Sequence, residues 1–187
     1  ITVEDPVEYA FEGMSQVAVN RADGLGFAAA LRAIKRADPD VVHVSEMRDL
    51  EISELSTELA LTGHLVLSVL HVPSALLIPK RFLEIGVAPH LIAPTMKGLI
   101  GQRLVLRNCQ DCLEDYAPAS NDLRIAGMSP ADGPFLGGKG CDSCGGSGVQ
   151  GRLGLYEVVE VDDALRELIG KQAGFDELYT VAFGNTE

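Results

Sequence analysis

Short apolar runs recur along the first hundred residues, and each has the length of a strand. The runs lie at 1–3 (ITV), 41–44 (VVHV) and 64–71 (HLVLSVLH). The third run is almost continuous in apolar residues, as a strand of a parallel sheet requires when helices cover both of its faces. The pattern predicts three strands, and it predicts that the last two are buried.

Segments with helical spacing separate these runs. In 24–37 the apolar residues fall on one helical face. Asp49 is placed to cap a second helix, which Gly63 ends. The segment 74–85 is also helical in pattern, although Pro79 should bend or delay that helix. Strand and helix alternating at these intervals predict an α/β fold with a parallel sheet.

The character of the chain changes near Asn108, which predicts three regions. Residues 1–107 carry the alternating pattern, and 108–151 are rich in loops and glycine and hold all four cysteines. Residues 152–187 return to order, with a strand at 153–159 and a helix at 164–172. The last five residues, FGNTE, resemble a domain cut before its last helix.

The cysteines form two CxxC pairs, Cys109 with Cys112 and Cys141 with Cys144. Two tight turns that each present two thiolates are typical of a tetrahedral metal site, and Zn²⁺ is its usual occupant. Disulfides or free thiols are the alternative. The surrounding region is too poor in apolar residues to build a core, so we expect it to need the metal to fold.

Two other uses of these cysteines are disfavoured. The run CDSCGGSG at 141–148 also fits the CxxCxGxG repeat of the Hsp40-type chaperone zinc domain, but this chain has one copy where that domain has several. A thioredoxin-like redox site would require one of the pairs to open a helix after a strand, and neither pair does.

Charge and composition narrow the function. The 187 residues carry a net charge of −12, which argues against a nucleic-acid partner. Hydrophobic residues make up 47% and charged residues 22%, as in a globular protein. The beginning of the chain has no basic segment and no long apolar run, so no signal peptide is expected. The most apolar stretch, 65–78, is too short and too interrupted to span a membrane.

Acidic residues follow two of the predicted strands. They occur in 1–8 (ITVEDPVE) and again in 41–49 (VVHVSEMRD). Ligands of open α/β sheets bind at the carboxyl ends of the strands, where two carboxylates can hold Mg²⁺ and orient a water. The alternative is that these are ordinary solvated strand ends. Two histidines bracket the strand 64–71, and a histidine there can contact a phosphate or simply bond to the backbone.

Taken together, these motifs resemble one family. ITVEDPVE resembles the aspartate box of secretion ATPases, 24–49 its helix and Walker B strand, and TGHLVLSVLH at 62–71 its histidine box. The paired CxxC motifs and GRLGLYE at 151–157 complete the order. The chain is similar, over nearly all its length, to the C-terminal ATPase domain of type II secretion and type IV pilus assembly ATPases. The cysteines favour that branch over the retraction ATPases, which lack them.

The resemblance implies a RecA-like P-loop ATPase core, a tetracysteine zinc subdomain and a small helical C-terminal part. Glu4 would be the catalytic residue that polarises the attacking water, and Asp5 would support it and the Mg²⁺ shell. Glu46 would be the Walker B glutamate, which acts on Mg²⁺ through water. ATP, Mg²⁺ and structural Zn²⁺ are the implied cofactors.

The resemblance also implies phosphate contacts and partners. His71 would sense the γ-phosphate, with His64 at the other end of the strand, and Arg152 would reach a phosphate. The intact protein would be a cytoplasmic homo-hexamer, peripheral to the inner membrane and bound to secretion or pilus platform proteins.

The sequence departs from the family pattern at several points. It contains no GxxxxGK[ST] phosphate loop, and GGKG at 137–140 does not match one. We therefore expect the chain to begin after that loop. Ser45 stands where the family has glycine, and Val69, Val72 and Pro73 replace polar residues around the second histidine. A non-catalytic, zinc-bearing interaction module is the alternative function.

Overall fold

The computed structural model describes residues 1–184, apart from the side chain of Arg21. The predicted cut at the end of the chain falls on 183–187, and its last three residues lie outside the described part. The chain forms two compact units: Ile1–Gly101 with the chain from Glu157 onward, and Gln102–Tyr156. The assignment of 1–107, 108–151 and 152–187 as domains stays a prediction.

A four-stranded parallel sheet forms the first unit's framework. Its strands are β1 (Thr2–Glu4), β2 (Gln16–Ala18), β3 (Val41–Val44) and β4 (Leu65–Ser68), in the order β2-β1-β3-β4. The predicted α/β fold with a parallel sheet is confirmed. Because all four strands are parallel, their carboxyl ends lie at one edge of the sheet.

The helices begin and end where local chemistry favours it. Asp49 accepts a hydrogen bond from the Ile52 backbone N–H at 2.9 Å, as an N-cap does. A 3-10 turn at Ala75–Leu77 precedes the third helix, and Pro79 lies in that helix's first turn, so proline delays the helix as predicted. The helices are α1 (Phe27–Ile34), α2 (Leu50–Leu61), α3 (Ile78–Ile85), α4 (Pro89–Thr95), α5 (Ser120–Ile125), α6 (Asp163–Gly170) and α7 (Phe175–Phe183).

Two apolar clusters stabilise the first unit. One lies where α1 and α2 pack on the sheet, and Val3, Leu31 and Leu59 are at its centre. The other joins the 3-10 turn, α4, α6 and α7 through residues such as Leu76 and Ile92. Each leucine buried in this way contributes about 1.5–3 kcal/mol relative to an exposed one.

The expectation that the strand at 64–71 is covered on both faces is wrong. In β4, Leu65 is 51% and Leu67 is 49% exposed, while Val66 packs on the sheet core. The strand is the edge of the sheet within the described residues, and only the face that carries Val66 is covered. A continuous apolar run does not reveal how many faces are covered.

Two further strand pairs were not predicted in full. Strand β5 (Gly98–Asn108) pairs with β8 (Val149–Glu160), and β6 (Leu113–Asp115) pairs antiparallel with β7 (Leu136–Gly138). Within residues 1–184, no helix is long and apolar enough to cross a membrane.

Candidate catalytic edge and metal centre

Three of the predicted site residues lie at the carboxyl edge of the sheet. Glu4 is the last residue of β1, Glu46 follows the end of β3 by two residues, and His71 follows the end of β4 by three. Val3 pairs with Val44 across β1 and β3, so both carboxylates leave the sheet at neighbouring positions. The arrangement places carboxylate oxygens where an open α/β sheet binds its ligand.

Two neutral donors hold the Glu4 carboxylate. Its Oε1 accepts from Thr2 Oγ1 at 2.5 Å and from Gln16 Nε2 at 2.9 Å. The Thr2 hydroxyl, and next the Gln16 amide, hold the pKa of Glu4 below its ordinary value of 4.5. Glu4 is therefore an anion at neutral pH. Asp5 follows it and is exposed.

Neither partner of Glu4 was predicted from the sequence. The signal for Thr2 was available, because residues two apart in a strand share a face. Gln16 had no local signal, since β2 is three residues long and was not predicted.

Side chains from two segments contact Glu46. Arg48 Nε donates to its Oε2 at 2.6 Å, and His71 Nε2 lies 3.4 Å from its Oε1. The Met47 backbone N–H also donates to the Val69 carbonyl at 3.2 Å, which ties the two loops together beyond β3 and β4. Arg48 was missed as a site residue, although it stands two positions after Glu46 in the same acidic motif.

His64 lies at the other edge of the sheet, just before β4. Its Nδ1 is 2.9 Å from the Leu59 carbonyl oxygen and 3.1 Å from Thr62 Oγ1. The contact with Leu59 gives a carbonyl near the end of α2 a hydrogen-bond partner. Because His64 lies at the opposite edge of the sheet, the structure does not bring it together with Glu4, Glu46 and His71.

Arg152 lies on β8 in the second unit. Its side chain is exposed and has no hydrogen-bond or ion-pair partner among residues 1–184. Its predicted contact with a phosphate stays a prediction.

The four cysteines converge in the second unit. All four Sγ atoms lie within 4.8 Å of one another, and the thiols are free. Cys109 and Cys141 are 3.9 Å apart, Cys112 and Cys144 4.0 Å, and Cys141 and Cys144 3.8 Å. A tetrahedron with metal–sulfur distances of about 2.3 Å has sulfur–sulfur edges of about 3.8 Å. The cluster therefore has the dimensions of a tetrathiolate metal site.

Backbone N–H groups point at one of these sulfurs. The Cys144 Sγ accepts from the backbone N–H of Cys141 and of Gly148, each at 3.2 Å. These donors lower the pKa of the Cys144 thiol to about 6, whereas burial raises the pKa of Cys112 to about 12. The same N–H groups would stabilise a metal-bound thiolate.

Two glycines let the chain close around the cluster. A Cβ at Gly138 would lie 1.9 Å from the Gly148 carbonyl oxygen, and one at Gly148 would lie 2.1 Å from the Gly138 oxygen. Both distances are shorter than any real contact, so only glycine fits at either position. The glycine-rich stretches at 137–140 and 141–148 were noted in the sequence, but the contact between Gly138 and Gly148 was not predicted.

Comparison with known proteins identifies the family. The model of the family described as type II/IV secretion system protein matches residues 1–186. The type II secretion system protein E of Pseudomonas aeruginosa is 43% identical over 179 residues, which cover 95% of this chain and 36% of the relative. The type IV pilus assembly ATPase PilB of Thermus thermophilus is 44% identical over 177 residues, covering 92% of this chain and 20% of the relative.

Solved structures agree in fold. The pilus retraction motor PilT with bound ADP superposes with a TM-score of 0.66 at 28% identity, covering 96% of this chain and 43% of that chain. The Legionella pneumophila ATPase DotB superposes with a TM-score of 0.60 at 20% identity, covering 96% of this chain and 41% of that chain. The chain spans about a third or less of the two curated relatives' length. It belongs to the type II/IV secretion system protein family.

Proposed function

We propose that this chain is part of a motor ATPase that couples ATP hydrolysis to pseudopilus or pilus assembly and protein export. The observation that carries the proposal is the placement of Glu4, Glu46 and His71 at one edge of a parallel sheet, with His71 3.4 Å from Glu46. The names of the two relatives, a type II secretion protein and a pilus assembly ATPase, support the same role.

The side chains divide the work at that edge. Glu4, held ionised by Thr2 and Gln16, polarises the water that attacks the γ-phosphate, and Asp5 supports it. Glu46 orients the water shell of Mg²⁺, and carboxylate oxygens suit that ion. When bound, Mg²⁺ would neutralise phosphate charge.

The proposed phosphate contacts rest on His71 and Arg152. His71 contacts the γ-phosphate from the loop after β4, and its bond to Glu46 links that contact to the metal shell. Arg152 supplies a positive charge from β8. His64 supports the connection from α2 to β4 through Leu59, so its predicted phosphate role is the weakest of the three.

We infer that Zn²⁺ is the metal of the cysteine cluster. Four thiolates at these distances suit a closed structural zinc site. Cys144 bonds to Gly148, which immediately precedes β8, and Arg152 lies on that strand. A metal bound to these thiolates would thus hold the segment that carries the arginine, and we propose that aiming Arg152 is the reason for the cluster. Stripping the metal and mutating Arg152 should then give similar, non-additive losses of activity.

The intact protein acts, in this proposal, as a homo-hexamer on the cytoplasmic side of the inner membrane, where it binds secretion or pilus platform proteins. Nucleic acid is not among the proposed partners, because the net charge of −12 opposes it.

A chimera tests the catalytic assignment. This chain would replace the matching segment of the Pseudomonas aeruginosa protein, so that the relative supplies the rest of the enzyme. Glu4→Gln should lower ATP turnover by about 10²–10⁴-fold while nucleotide binding survives, because an amide cannot polarise water as a carboxylate does. Glu8→Gln is the matched control, since Glu8 is an exposed carboxylate of the same segment. Equal turnover in the two variants would overturn the role of Glu4.

The second candidate is a non-catalytic, zinc-bearing interaction module. The observation in its favour is that Ser45, Val69, Val72 and Pro73 depart from the family pattern. A folded, zinc-loaded chimera that has no ATPase activity, next to an active Pseudomonas protein, would support this candidate instead.

A further inference from the structure

The loop that carries His71 has little structure of its own. Residues 69–74 form no helix or strand, and they connect β4 to the 3-10 turn at Ala75–Leu77. The side chain of His71 is 81% exposed. Because so little packs against the ring, its position depends on where the two ends of this loop are held.

The first end of the loop is tied to the loop after β3. The Val69 carbonyl accepts from the Met47 backbone N–H at 3.2 Å, and Met47 immediately follows Glu46. This bond keeps the beginning of the His71 loop close to the carboxylate that His71 contacts.

The Glu157 carboxylate contacts the second end. Ser74 Oγ donates to Glu157 at 3.1 Å and 3.2 Å, one distance to each carboxylate oxygen, and the Ala75 backbone N–H donates to Glu157 Oε2 at 2.9 Å. Glu157 lies on β8, 83 residues after Ser74. Its charge faces the first N–H of the 3-10 turn, where an anion is favoured and an unpaired backbone donor is satisfied.

A glycine leaves room for this contact. A Cβ at Gly101 would lie 2.7 Å from Glu157 Oε2 and 3.3 Å from the Ala75 backbone nitrogen. Any larger residue at this position would push the carboxylate away from the loop. Glu157, Gly101 and Ser74 are half-buried and Ala75 is buried, and together they form one built contact, which we call the Glu157 anchor.

We propose that Glu157 is a positioning residue that sets the place of His71 relative to Glu46. The proposal rests on the proposed function for its catalytic meaning, because it concerns how the γ-phosphate contact is aimed. The predicted effect of Glu157 on the position of the His71 ring does not require a bound nucleotide. A carboxylate suits this place because its two oxygens share the Ser74 hydroxyl, one of them also accepts from the Ala75 N–H, and it carries the charge that the start of the turn favours.

The test uses NMR on the full 187-residue chain loaded with zinc. In Glu157→Ala, the contact between the His71 ring protons and the Glu46 side chain should disappear, and exchange of the Ala75 amide should accelerate at least about tenfold. Glu160→Ala is the matched control: Glu160 lies on the same strand, and its exposed side chain has no hydrogen-bond or ion-pair partner among residues 1–184. It should leave both signals unchanged.

Conservative variants keep the test informative if Glu157→Ala does not fold. Glu157→Gln retains an acceptor for the Ala75 N–H and should keep part of the amide protection, and Ser74→Ala should loosen His71 while α3 persists. If the His71–Glu46 contact survives in every folded variant that loses the anchor bonds, the positioning role is wrong. A chimera without ATPase activity would refute the proposed function but leave this NMR result standing.

Discussion

Replacing Gly148 by alanine should disrupt the cysteine cluster, although Gly148 is not a ligand. The new Cβ would lie 2.1 Å from the Gly138 carbonyl oxygen. Carbon–oxygen contacts begin at about 3.3 Å, so the two backbone segments would have to separate by about 1.2 Å. Gly148 is also bonded at both ends, because its carbonyl accepts from the Cys109 N–H at 2.9 Å and its N–H donates to Cys144 Sγ at 3.2 Å.

The expected cost follows from these contacts. Gly148 has a φ of +71°, and alanine in that region costs about 1 kcal/mol. Losing the two hydrogen bonds costs about 1 kcal/mol each. The total is about 3 kcal/mol for Gly148→Ala. Gly151 has a φ of +76°, but no atom lies within 4 Å of the place that a Cβ would occupy, so Gly151→Ala should cost only the conformational strain, about 1 kcal/mol.

Comparing the two alanine variants therefore separates the cost of losing the close Gly138–Gly148 contact from the cost of placing alanine at a positive φ. We propose that folding of this region is coupled to metal binding, so the difference of about 2 kcal/mol should appear as a zinc dissociation constant about thirtyfold weaker in Gly148→Ala than in Gly151→Ala. A chromogenic chelator titrated against each protein measures this ratio. Equal zinc affinities in the two variants would show that the close approach of Gly138 and Gly148 does not support the cluster.

Three further predictions concern the metal, the nucleotide and pH. Metal analysis should find one Zn²⁺ per chain, and Cys112→Ser should reduce it severely; well under one zinc together with disulfides would contradict the site. The chain alone should bind ATP weakly and hydrolyse it negligibly, because its sequence has no phosphate loop; micromolar binding of Mg²⁺–ATP by calorimetry would disprove this. Thr2→Val should raise the pKa of Glu4 toward 4.5 in an NMR titration, whereas Thr2→Ser should not. The folded-state pKa of Glu4 is depressed, so its contribution to stability is present above pH 4.5 and is lost as pH falls through the folded pKa. The unfolding free energies of the wild type and Thr2→Val should therefore converge in acid.

Patterns of local chemistry were enough to predict several features. The N-cap at Asp49 and the delayed helix start at Pro79 depend on neighbours within four residues, and both occur where the sequence predicts them. The parallel sheet followed from alternating strand and helix segments, and the motif order indicated the family. The spacing of the four cysteines predicted a cluster that the fold does assemble.

Other features depend on residues that are distant in sequence. The apolar run at 64–71 does not say that β4 is an edge strand with Leu65 and Leu67 exposed. The unpredicted β2 brings Gln16 to Glu4. Exposure and partner identity are set by packing, which periodicity does not encode.

The sequence by itself determined the family, the parallel α/β core, the carboxylates that end its strands and two CxxC pairs with the spacing of a metal site, since each follows from short motifs and their order along the chain. Only the tertiary structure decided which side chains complete the site. Arg48 and His71 meet at Glu46, Glu157 holds Ser74 from 83 residues away, and Gly138 faces Gly148. Such contacts form because the sheet edge and the cysteine cluster bring distant segments within hydrogen-bonding distance, and no local pattern records that distance.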